Sequence, residues 1–541
     1  MSGSSTRRGL LAAASGAALT GACASFFKPS ADTGGATGQE ARATMKRAAR
    51  FMVERVAYRG GYVWSYLPDL SRRWGEMEAY PTMIWMQPPG TATMGHLYLD
   101  CYAATRDQFY YRAALDVADG LIAAQHPAGG WNYLHDFAGE DSARRWYVTI
   151  GRSGWRLEEF HHYYGNATFD DAGTSEASQF LLRAYLVGRN PRLRAPLERA
   201  VRFVLDSQYA NGGWPQRFPR VEGEVAYAPY ITFNDAVADE NIKFLLMVYH
   251  TLGDERALAA IRRAMEIFPA TQGRGAQAGW SLQHHHETLQ PIGARSYEPD
   301  SYATHTTAGN IAQMMDFYEW TGERRFIERI PEALSWLESV RLPESEVRVA
   351  GRHYPTFIEF ETNRARINHR RGSNSGSGQY FWDYNPENPI THYSQWRAIN
   401  AAALRERYER LAASAPDLSR SPLARGNFRM PRFFTTENIE VSDMNSNVGE
   451  GALSRPAVER VAELVGTLNG EGYWPTPLTA TSNPYIGPPP AAASPGDFGQ
   501  TLVGDAYDTS PFITQNPVTG ISTGAFIQNM SALLLSVDSG Q

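Results

Sequence analysis

Acidic side chains stand in front of two predicted helices in this 541-residue chain. Asp170 and Asp171 lie before one such segment, and Asp235 lies before a second. An aspartate in this position is the ordinary cap of a helix, because its carboxylate accepts hydrogen bonds from free backbone N–H groups. Several carboxylates together also form the ligand set that a hard cation prefers. Capping explains either motif alone, but two such motifs beside tryptophan-bearing turns favour a cation site.

Basic side chains form the second set of candidates. Arg295 lies in the motif GARSYEP (293–299), and Arg364 and Arg370 lie in one irregular, arginine-rich segment. The planar guanidinium binds both oxygens of a carboxylate, so this clustering in a chain of net charge −6 predicts an anionic ligand. A simpler interpretation stays open for each. Arg295 could form an ion pair with Glu298. The arginine-rich segment could be a solvated loop or form interdomain salt bridges.

Histidines and cysteines supply fewer candidates. The three histidines at 284–286 are adjacent, and successive residues of an extended segment point to opposite sides, so we do not expect them to chelate one ion. Of the two cysteines, Cys23 lies in a predicted export signal. Cys101 is then without a partner in the mature chain, and we expect it to be a buried apolar residue.

A repeated glycine–tryptophan motif indicates the elements that position these residues. The sequence QYANGGW occupies 208–214, QHPAGGW occupies 125–131, and looser copies end at Trp280, Trp474 and Trp64. Each copy is typical of a helix that ends at glycine and is followed by a turn with a tryptophan at one rim. Repeats separated by paired helical segments predict stacked helical hairpins, because one hairpin cannot bury its apolar face alone.

Helical periodicity predicts the same architecture. The predicted helices cover 112–125, 177–187, 197–208, 240–252, 256–268, 308–320, 326–340, 398–411, 456–468 and 523–537. An alternating, polar segment at 347–383 is β-like, and the Pro- and Gly-rich segment 475–522 is predicted to be loop. We therefore predict an all-α protein, an (α/α) toroid or barrel of helical hairpins with a short irregular β-like segment.

The N-terminus has the pattern of an export signal. Twin arginines precede an alanine-rich run that is too short to span a bilayer, and an A-x-A cleavage site follows. These features predict a signal peptide over 1–24, a linker over 25–40 and a toroid domain over 41–541. The protein is then periplasmic or secreted, with no integral membrane segment after signal removal; lipidation of Cys23 is the alternative.

The composition excludes some partners. A hydrophobic content of 43% and a charged content of 20% are those of an ordinary globular protein. The net negative charge gives no reason to expect nucleic-acid binding. We expect a monomer without a nucleic-acid partner.

Four motifs resemble those of the polysaccharide lyase family 10 pectate lyases, in the same order and with similar spacing. They are QYANGGWPQ (208–216), ITFND (231–235), TLQPIGARSYEP (288–299) and ETNR (361–364), and the resembling core covers about 165–375. The resemblance implies an (α/α) toroid that binds an acidic polysaccharide or oligouronide. It also implies cleavage of polygalacturonate, or a related polyuronate, by calcium-assisted β-elimination.

The resemblance further implies roles for individual residues. Arg295 would be the catalytic base, and Arg364 and Arg370 would hold uronate carboxylates. Trp214 is a candidate for stacking on a sugar, although packing against the glycine turn is the better explanation for most such tryptophans. An arginine base is demanding, because its pKa normally exceeds about 12 and its neutral form has to be favoured by neighbouring cations and burial.

The acidic residues are implied as ligands of calcium. Asp235 would bind calcium and substrate, together with Asp170 or Asp171. The family motif Asp-Asn-Gly-Ala-Thr is replaced here by DDAGT at 170–174, so either aspartate matches it, and we favour Asp171. A cation and arginines at a uronate would stabilise the negative charge that develops when the C5 proton is removed.

Three other functions are consistent with the residues. An inverting glycoside hydrolase on the same toroid would use Asp171 and Asp235 as acid and base, with Arg295 as a substrate clamp. A periplasmic oligouronide-binding protein would use the same arginines without forming a product. The Gln-x-x-x-Gly-x-Trp repeat also occurs in terpene cyclases, but their aspartate-rich motif is missing here and export argues against an isoprenoid substrate.

Overall fold

The computed structural model of the chain describes residues 36–152, 158–371, 379–390, 393–437, 456, 458–478 and 518–538. The predicted signal peptide, Cys23 and most of the predicted loop 475–522 lie outside these residues. The first helix begins at Ala36, inside the segment predicted as linker, because the stretch rich in alanine and arginine from residue 39 onward favours a helix.

Helices are the main secondary structure of the described chain. They are α1 (Ala36–Phe51), α2 (Thr91–Thr105), α3 (Gln108–Ala124), α4 (Glu140–Trp146), α5 (Gly173–Gly188), α6 (Arg194–Ser207), α7 (Val237–Leu252), α8 (Glu255–Thr271), α9 (Thr304–Thr321), α10 (Ile330–Ser339), α11 (Ala401–Ala413), α12 (Phe434–Glu437), α13 (Val458–Thr467) and α14 (Thr523–Val537). None of the described helices combines the length and apolar character that a bilayer crossing requires.

The strands are short and antiparallel. They are β1 (Ser65–Tyr66), β2 (Arg73–Trp74), β3 (Glu78–Ala79), β4 (Met83–Trp85), β5 (Leu134–Asp136), β6 (Ala167–Thr168), β7 (Arg217–Phe218), β8 (Ile231–Thr232), β9 (Gln283–His284), β10 (Pro291–Ile292), β11 (Ser301–Ala303), β12 (Tyr354–Pro355), β13 (Phe357–Glu359), β14 (Ala365–Arg371), β15 (Gln379–Asp383), β16 (Trp396–Arg397), β17 (Thr476–Leu478) and β18 (Val518–Ser522). The predicted β-like segment contains β12 to β15, and a four-stranded sheet has the order β11-β13-β14-β15.

Helical hairpins build the body of the molecule. The pairs are α2–α3, α5–α6, α7–α8 and α9–α10, and in each pair the first helix is the more deeply buried. Every residue of α5 from Gly173 to Ala184 is buried, whereas α6 buries only one stripe at helical spacing. The inner helices α14, α2, α5 and α7 pack against one another in that order, with the amphipathic partners outside. This arrangement is the predicted (α/α) toroid.

The first and last described segments of the chain meet. Helix α1 packs against α13 and α14, and strand β1 pairs with both β2 and β18. The Thr523 N–H also donates to the Trp64 carbonyl over 2.8 Å. The described segments nearest the two termini therefore complete one side of the toroid.

The glycine–tryptophan repeat holds each hairpin to the next. The indole N–H of Trp214 donates to the Val204 carbonyl over 2.8 Å, and Trp131, Trp280 and Trp474 make equivalent bonds to the helix that precedes them. The Gln208 amide donates to the carbonyls of Gly212 and Ala260, which ties the turn to α8. The motif is thus structural.

Gly212 is expected to be essential to this turn. Its φ is +96°, and a Cβ added there would lie 2.0 Å from the Arg263 carbonyl oxygen on α8. Backbone strain and the clash should together make Gly212→Ala less stable by about 2–4 kcal/mol in urea denaturation. Gly275→Ala is the matched control, because Gly275 has φ +60° with no atom within 4 Å of an added Cβ. An equal loss in both variants would contradict the clash.

Candidate active site

Two equivalent strand–turn–helix units carry the acidic motifs. Strand β6 leads through the turn Asp170–Ala172 into α5, and β8 leads through Asn234–Ala236 into α7. Asp171 and Asp235 occupy the same position in these turns, with left-handed φ values of 49° and 53°. Aspartate tolerates this conformation better than most residues. Neither α5 nor α7 has a side-chain cap, so helix capping does not explain the motifs.

The two turns bring three carboxylates together. One oxygen from each of Asp170, Asp171 and Asp235 lies within 4.8 Å of the others. Asn234 is also buried, and its Oδ1 accepts no hydrogen bond from the described residues. Several convergent, charged oxygen atoms are the ligands that calcium prefers, so this donor set fits a hard cation. We refer to these three aspartates as the acidic group.

Arg295 lies against the acidic group. Its side chain is fully buried, and its Nη2 donates to Oδ2 of Asp170. Its Nη1 is 3.6 Å from Oε1 of Glu298 and 3.5 Å from the Tyr393 hydroxyl oxygen. Its Nε has no hydrogen-bond partner among the described residues. The predicted pairing with Glu298 is therefore present, but the shorter contact is with the acidic group.

The surroundings of Arg295 control its charge. Burial by itself disfavours the guanidinium cation, but the carboxylates of Asp170, Glu298 and Glu159 outweigh this effect and hold the pKa of Arg295 well above its usual range. These carboxylates therefore oppose the neutral form that a general base requires.

A hydrogen-bond network links Arg295 to the second turn. The Arg295 backbone N–H donates to Oε2 of Glu298 over 3.0 Å, and the Tyr393 hydroxyl donates to Oε1 of the same carboxylate. The Asn234 amide donates to Asp235 over 2.8 Å and to the Tyr393 oxygen over 2.9 Å. Glu298 thus holds both the backbone and the side chain of Arg295 in place.

A second acidic set contains residues that the sequence analysis missed. Oxygen atoms of Glu76, Glu159 and Asp171 lie within 4.8 Å of one another, so Asp171 belongs to both sets. The Gln87 amide nitrogen bridges Glu76 and Asp171, at 2.8 and 2.6 Å. No motif signals Glu76 or Gln87, because each is an isolated residue in the N-terminal part of the chain.

Tyr133 also contributes to the site. Its hydroxyl donates to Oδ2 of Asp170 over 2.6 Å, so this oxygen accepts from both Tyr133 and Arg295. Burial and the Asp170 charge raise the pKa of Tyr133 well above its usual value, which keeps the phenol protonated as a donor. Tyr133 follows the tryptophan of a repeat by two residues, and this spacing is the signal that could have identified it.

The predicted substrate-binding residues have different environments. Arg370 is buried on β14, and its cross-strand neighbour Tyr380 packs on Tyr297 with the ring centres 5.2 Å apart. Arg364 is exposed and lies over the Tyr384 ring, with Cζ 3.3 Å from the ring centre. The prediction for Trp214 is wrong: it is 1% exposed, and its indole binds the preceding helix and is not available to a sugar.

The remaining candidates behave as ordinary structural residues. His284 is buried, and its Nδ1 lies 3.0 Å from the Leu289 carbonyl oxygen. Among the described residues, the clusters able to hold a metal contain no histidine. Cys101 is buried, as expected, and burial raises the pKa of its thiol well above the usual value.

The site therefore consists of a buried arginine against clustered carboxylates in an (α/α) toroid. Residues 147–391 match the family model described as pectic acid lyase. This match confirms the resemblance that the four sequence motifs indicate, and it supports a polysaccharide lyase. No curated protein sequence matches the chain.

Solved structures with a similar fold include the family 10 polysaccharide lyase from Cellvibrio cellulosa. It is 19% identical, with 58% of this chain and 96% of that chain covered and a TM-score of 0.40. A mutant of that lyase in complex with trigalacturonic acid is 18% identical, with 58% and 97% covered and a TM-score of 0.39. A GH76 α-mannanase from Bacteroides thetaiotaomicron is 12% identical, with 59% and 76% covered and a TM-score of 0.35.

Proposed function

We propose that the chain is a pectate lyase that cleaves polygalacturonate, or a related polyuronate, by β-elimination. The observation that carries this proposal is the contact between Arg295 and the acidic group. A buried guanidinium and three convergent carboxylates together offer positive charge and cation ligands to an anionic sugar. The pectic acid lyase match over residues 147–391 includes both parts of this contact.

The chemistry requires stabilisation of a developing anion. In β-elimination a base takes the C5 proton of a uronate, the electron pair forms the C4–C5 double bond, and the bond from C4 to the glycosidic oxygen breaks. The released oxygen takes up a proton from water and becomes the hydroxyl group of the new reducing end. Negative charge then spreads onto the C6 carboxylate, where the guanidinium group of Arg370 would stabilise it. Arg364 precedes β14 and Arg370 lies near the end of that strand, so Arg364 would hold the carboxylate of another uronate unit. Calcium held by Asp170, Asp171 and Asp235 would supply further positive charge to that carboxylate.

Arg295 is the proposed base. It has to lose a proton before it can accept one from C5, and the Asp170 carboxylate is a main contributor to its high pKa. If Asp170 bound a cation, its negative charge would be partly neutralised, and the pKa of Arg295 would fall. The base function and the cation site are therefore coupled in this proposal through one carboxylate.

The geometry favours elimination over inverting hydrolysis. An inverting hydrolase separates its two carboxyl groups by about 6.5–9.5 Å so that a water fits beside the sugar. Oxygen atoms of Asp171 and Asp235 approach within 4.8 Å, which suits a shared cation better than an acid and base on opposite faces of a glycosidic bond.

Ultraviolet absorbance of polygalacturonate incubated with the purified protein tests the proposal. We expect an increase from the unsaturated uronide in calcium and none after addition of a chelator. New reducing ends without this absorbance would instead support the hydrolase. Saturable oligouronide binding without either product, over several polyuronates, would support the binding protein.

We further propose that the protein acts after export, as a monomer with a toroid domain over 41–541. The twin-arginine motif and the cleavage site support this location. A mature N-terminus at Ser25 in the periplasmic or extracellular fraction is the expected result, and a cytoplasmic protein that begins at Met1 would contradict it.

A further inference from the structure

Two aromatic side chains are exposed at one end of the ribbon formed by β14 and β15: Trp382 lies on β15, and Tyr384 directly follows it. Trp382 is 38% exposed and Tyr384 is 39% exposed, and they are the exposed aromatic residues of the described chain. Each ring is covered on one side by an arginine: Cζ of Arg366 is 3.5 Å from the Trp382 ring centre, and Cζ of Arg364 is 3.3 Å from the Tyr384 ring centre. The two rings also pack edge to face with their centres 5.7 Å apart, and each residue keeps more than a third of its surface exposed to solvent.

These rings are held in fixed positions. The Tyr384 hydroxyl lies 3.0 Å from both carboxylate oxygens of Glu359, and Arg366 Nη2 lies 3.9 Å from the same carboxylate. Arg366 also donates to the Asp300 carbonyl oxygen. An exposed aromatic ring that is already immobilised loses little conformational entropy when a ligand stacks on it.

The ribbon connects these rings to the Arg295 site. Asn368 is paired with Trp382 and Arg370 with Tyr380, so alternate residues place these side chains on one face of the ribbon. The Asn368 amide donates to the Tyr297 carbonyl over 2.9 Å, and the Tyr297 ring centre is 6.0 Å from Cζ of Arg295.

This face therefore extends outward from the centre of the proposed reaction. Arg366 and Arg370 lie on it four residues apart, which is about 13 Å along a strand. Arg370, at the inner end, is buried, whereas Trp382 and Tyr384, at the outer end, are exposed.

We propose that this face is a binding track for the part of a polyuronate chain that extends beyond the cleaved bond, with one sugar ring stacked on Trp382. A uronate unit has an apolar C–H face and a carboxylate. The apolar C–H face would stack on the indole of Trp382, and the carboxylate would pair with the exposed guanidinium of Arg364. The inference rests on the proposed function for the identity of the ligand and adds to it the residues that bind the extended chain.

Calorimetric titration with hexagalacturonate in the presence of a chelator tests the track without turnover. We expect the wild type to bind and Trp382→Ala to bind about tenfold more weakly, because it loses one aromatic stacking contact. Trp382→Phe should recover most of the affinity. Leu418→Ala, which shortens another exposed side chain at 47% exposure, should bind like the wild type. Equal affinities of wild type and Trp382→Ala, or no binding by the wild type, would overturn the track.

Kinetics separate this inference from the lyase proposal. On polygalacturonate, Trp382→Ala should raise KM about tenfold with kcat unchanged, while both constants for trigalacturonate stay at wild-type values. A wild type that binds hexagalacturonate but never forms an unsaturated product would contradict the lyase proposal and leave the track supported. A wild-type lyase whose KM for the polymer is unaffected by Trp382→Ala would contradict the track alone.

Discussion

Arg295→Ala is expected to lower kcat for unsaturated-product formation by about 10²–10⁴-fold, the range that a positioned general base contributes. The reason is geometric, since the Arg295 guanidinium is buried against the acidic group and contacts Asp170 and Glu298. Initial rates from the ultraviolet absorbance of polygalacturonate digests measure the effect.

Stability has to be measured in parallel. Removal of Arg295 leaves two buried carboxylates without their cation, which typically costs about 3–5 kcal/mol. Arg183→Ala is the matched control, because Arg183 pairs with Asp100 at 2.6 Å and both side chains are buried between α2 and α5. We expect a similar loss of stability in this control, with kcat per folded molecule close to wild type. An equal loss of kcat in both variants would contradict a catalytic role for Arg295.

Arg295→Lys separates a base from a clamp. Lysine ordinarily titrates about two pH units below arginine, and a base increases the rate as it loses its proton. If Arg295 is the base, the rising limb of the pH–rate profile should move to lower pH in the lysine variant. If the guanidinium only holds a carboxylate, the limb should keep its position while KM rises.

Asp235→Asn is expected to abolish stabilisation of the protein by calcium. At a calcium concentration 100 times the dissociation constant, binding stabilises the native state by about 2.7 kcal/mol. This stabilisation appears as a higher Tm in calcium than in chelator. The three aspartates supply the convergent oxygens for this binding, and the variant loses one charged ligand. Thermal denaturation and calcium calorimetry measure the loss directly, apart from any activity.

Two control variants distinguish the acidic sets. Glu76→Gln alters only the second set, formed by Glu76, Glu159 and Asp171, so the calcium response should remain. Asp254→Asn alters a helix cap outside the site, where asparagine also caps well, and should behave like wild type. A calcium response lost in Glu76→Gln but kept in Asp235→Asn would assign the cation to the second set instead.

The outer helices could be predicted because their pattern is local. The predicted segment 197–208 corresponds to α6 and the segment 256–268 to α8, since each buries one apolar stripe at helical spacing. Helix α2 was not predicted, because residues Thr91 to Cys101 are all buried and no periodic contrast remains. Helices α5 and α7 begin four and three residues before their predicted starts, at 177 and 240, because their first turns carry polar residues near the site.

The chemical types at the site and the hairpin architecture follow from local sequence patterns. Asp170, Asp235 and Arg295 were candidates because their motifs are short and contiguous. Their meeting depends on the toroid, since 125 residues separate Asp170 from Arg295 and no local rule relates them.

Which of the remaining side chains reach the site depends on how the chain packs in three dimensions. Trp214 does not reach the site, because its indole N–H donates to the Val204 carbonyl. Gln87 and Glu76 do reach the site, because strands near the N-terminus fold back beside Asp171. Side-chain direction and long-range proximity follow from how the hairpins pack around one core, and no single stretch of sequence contains that information.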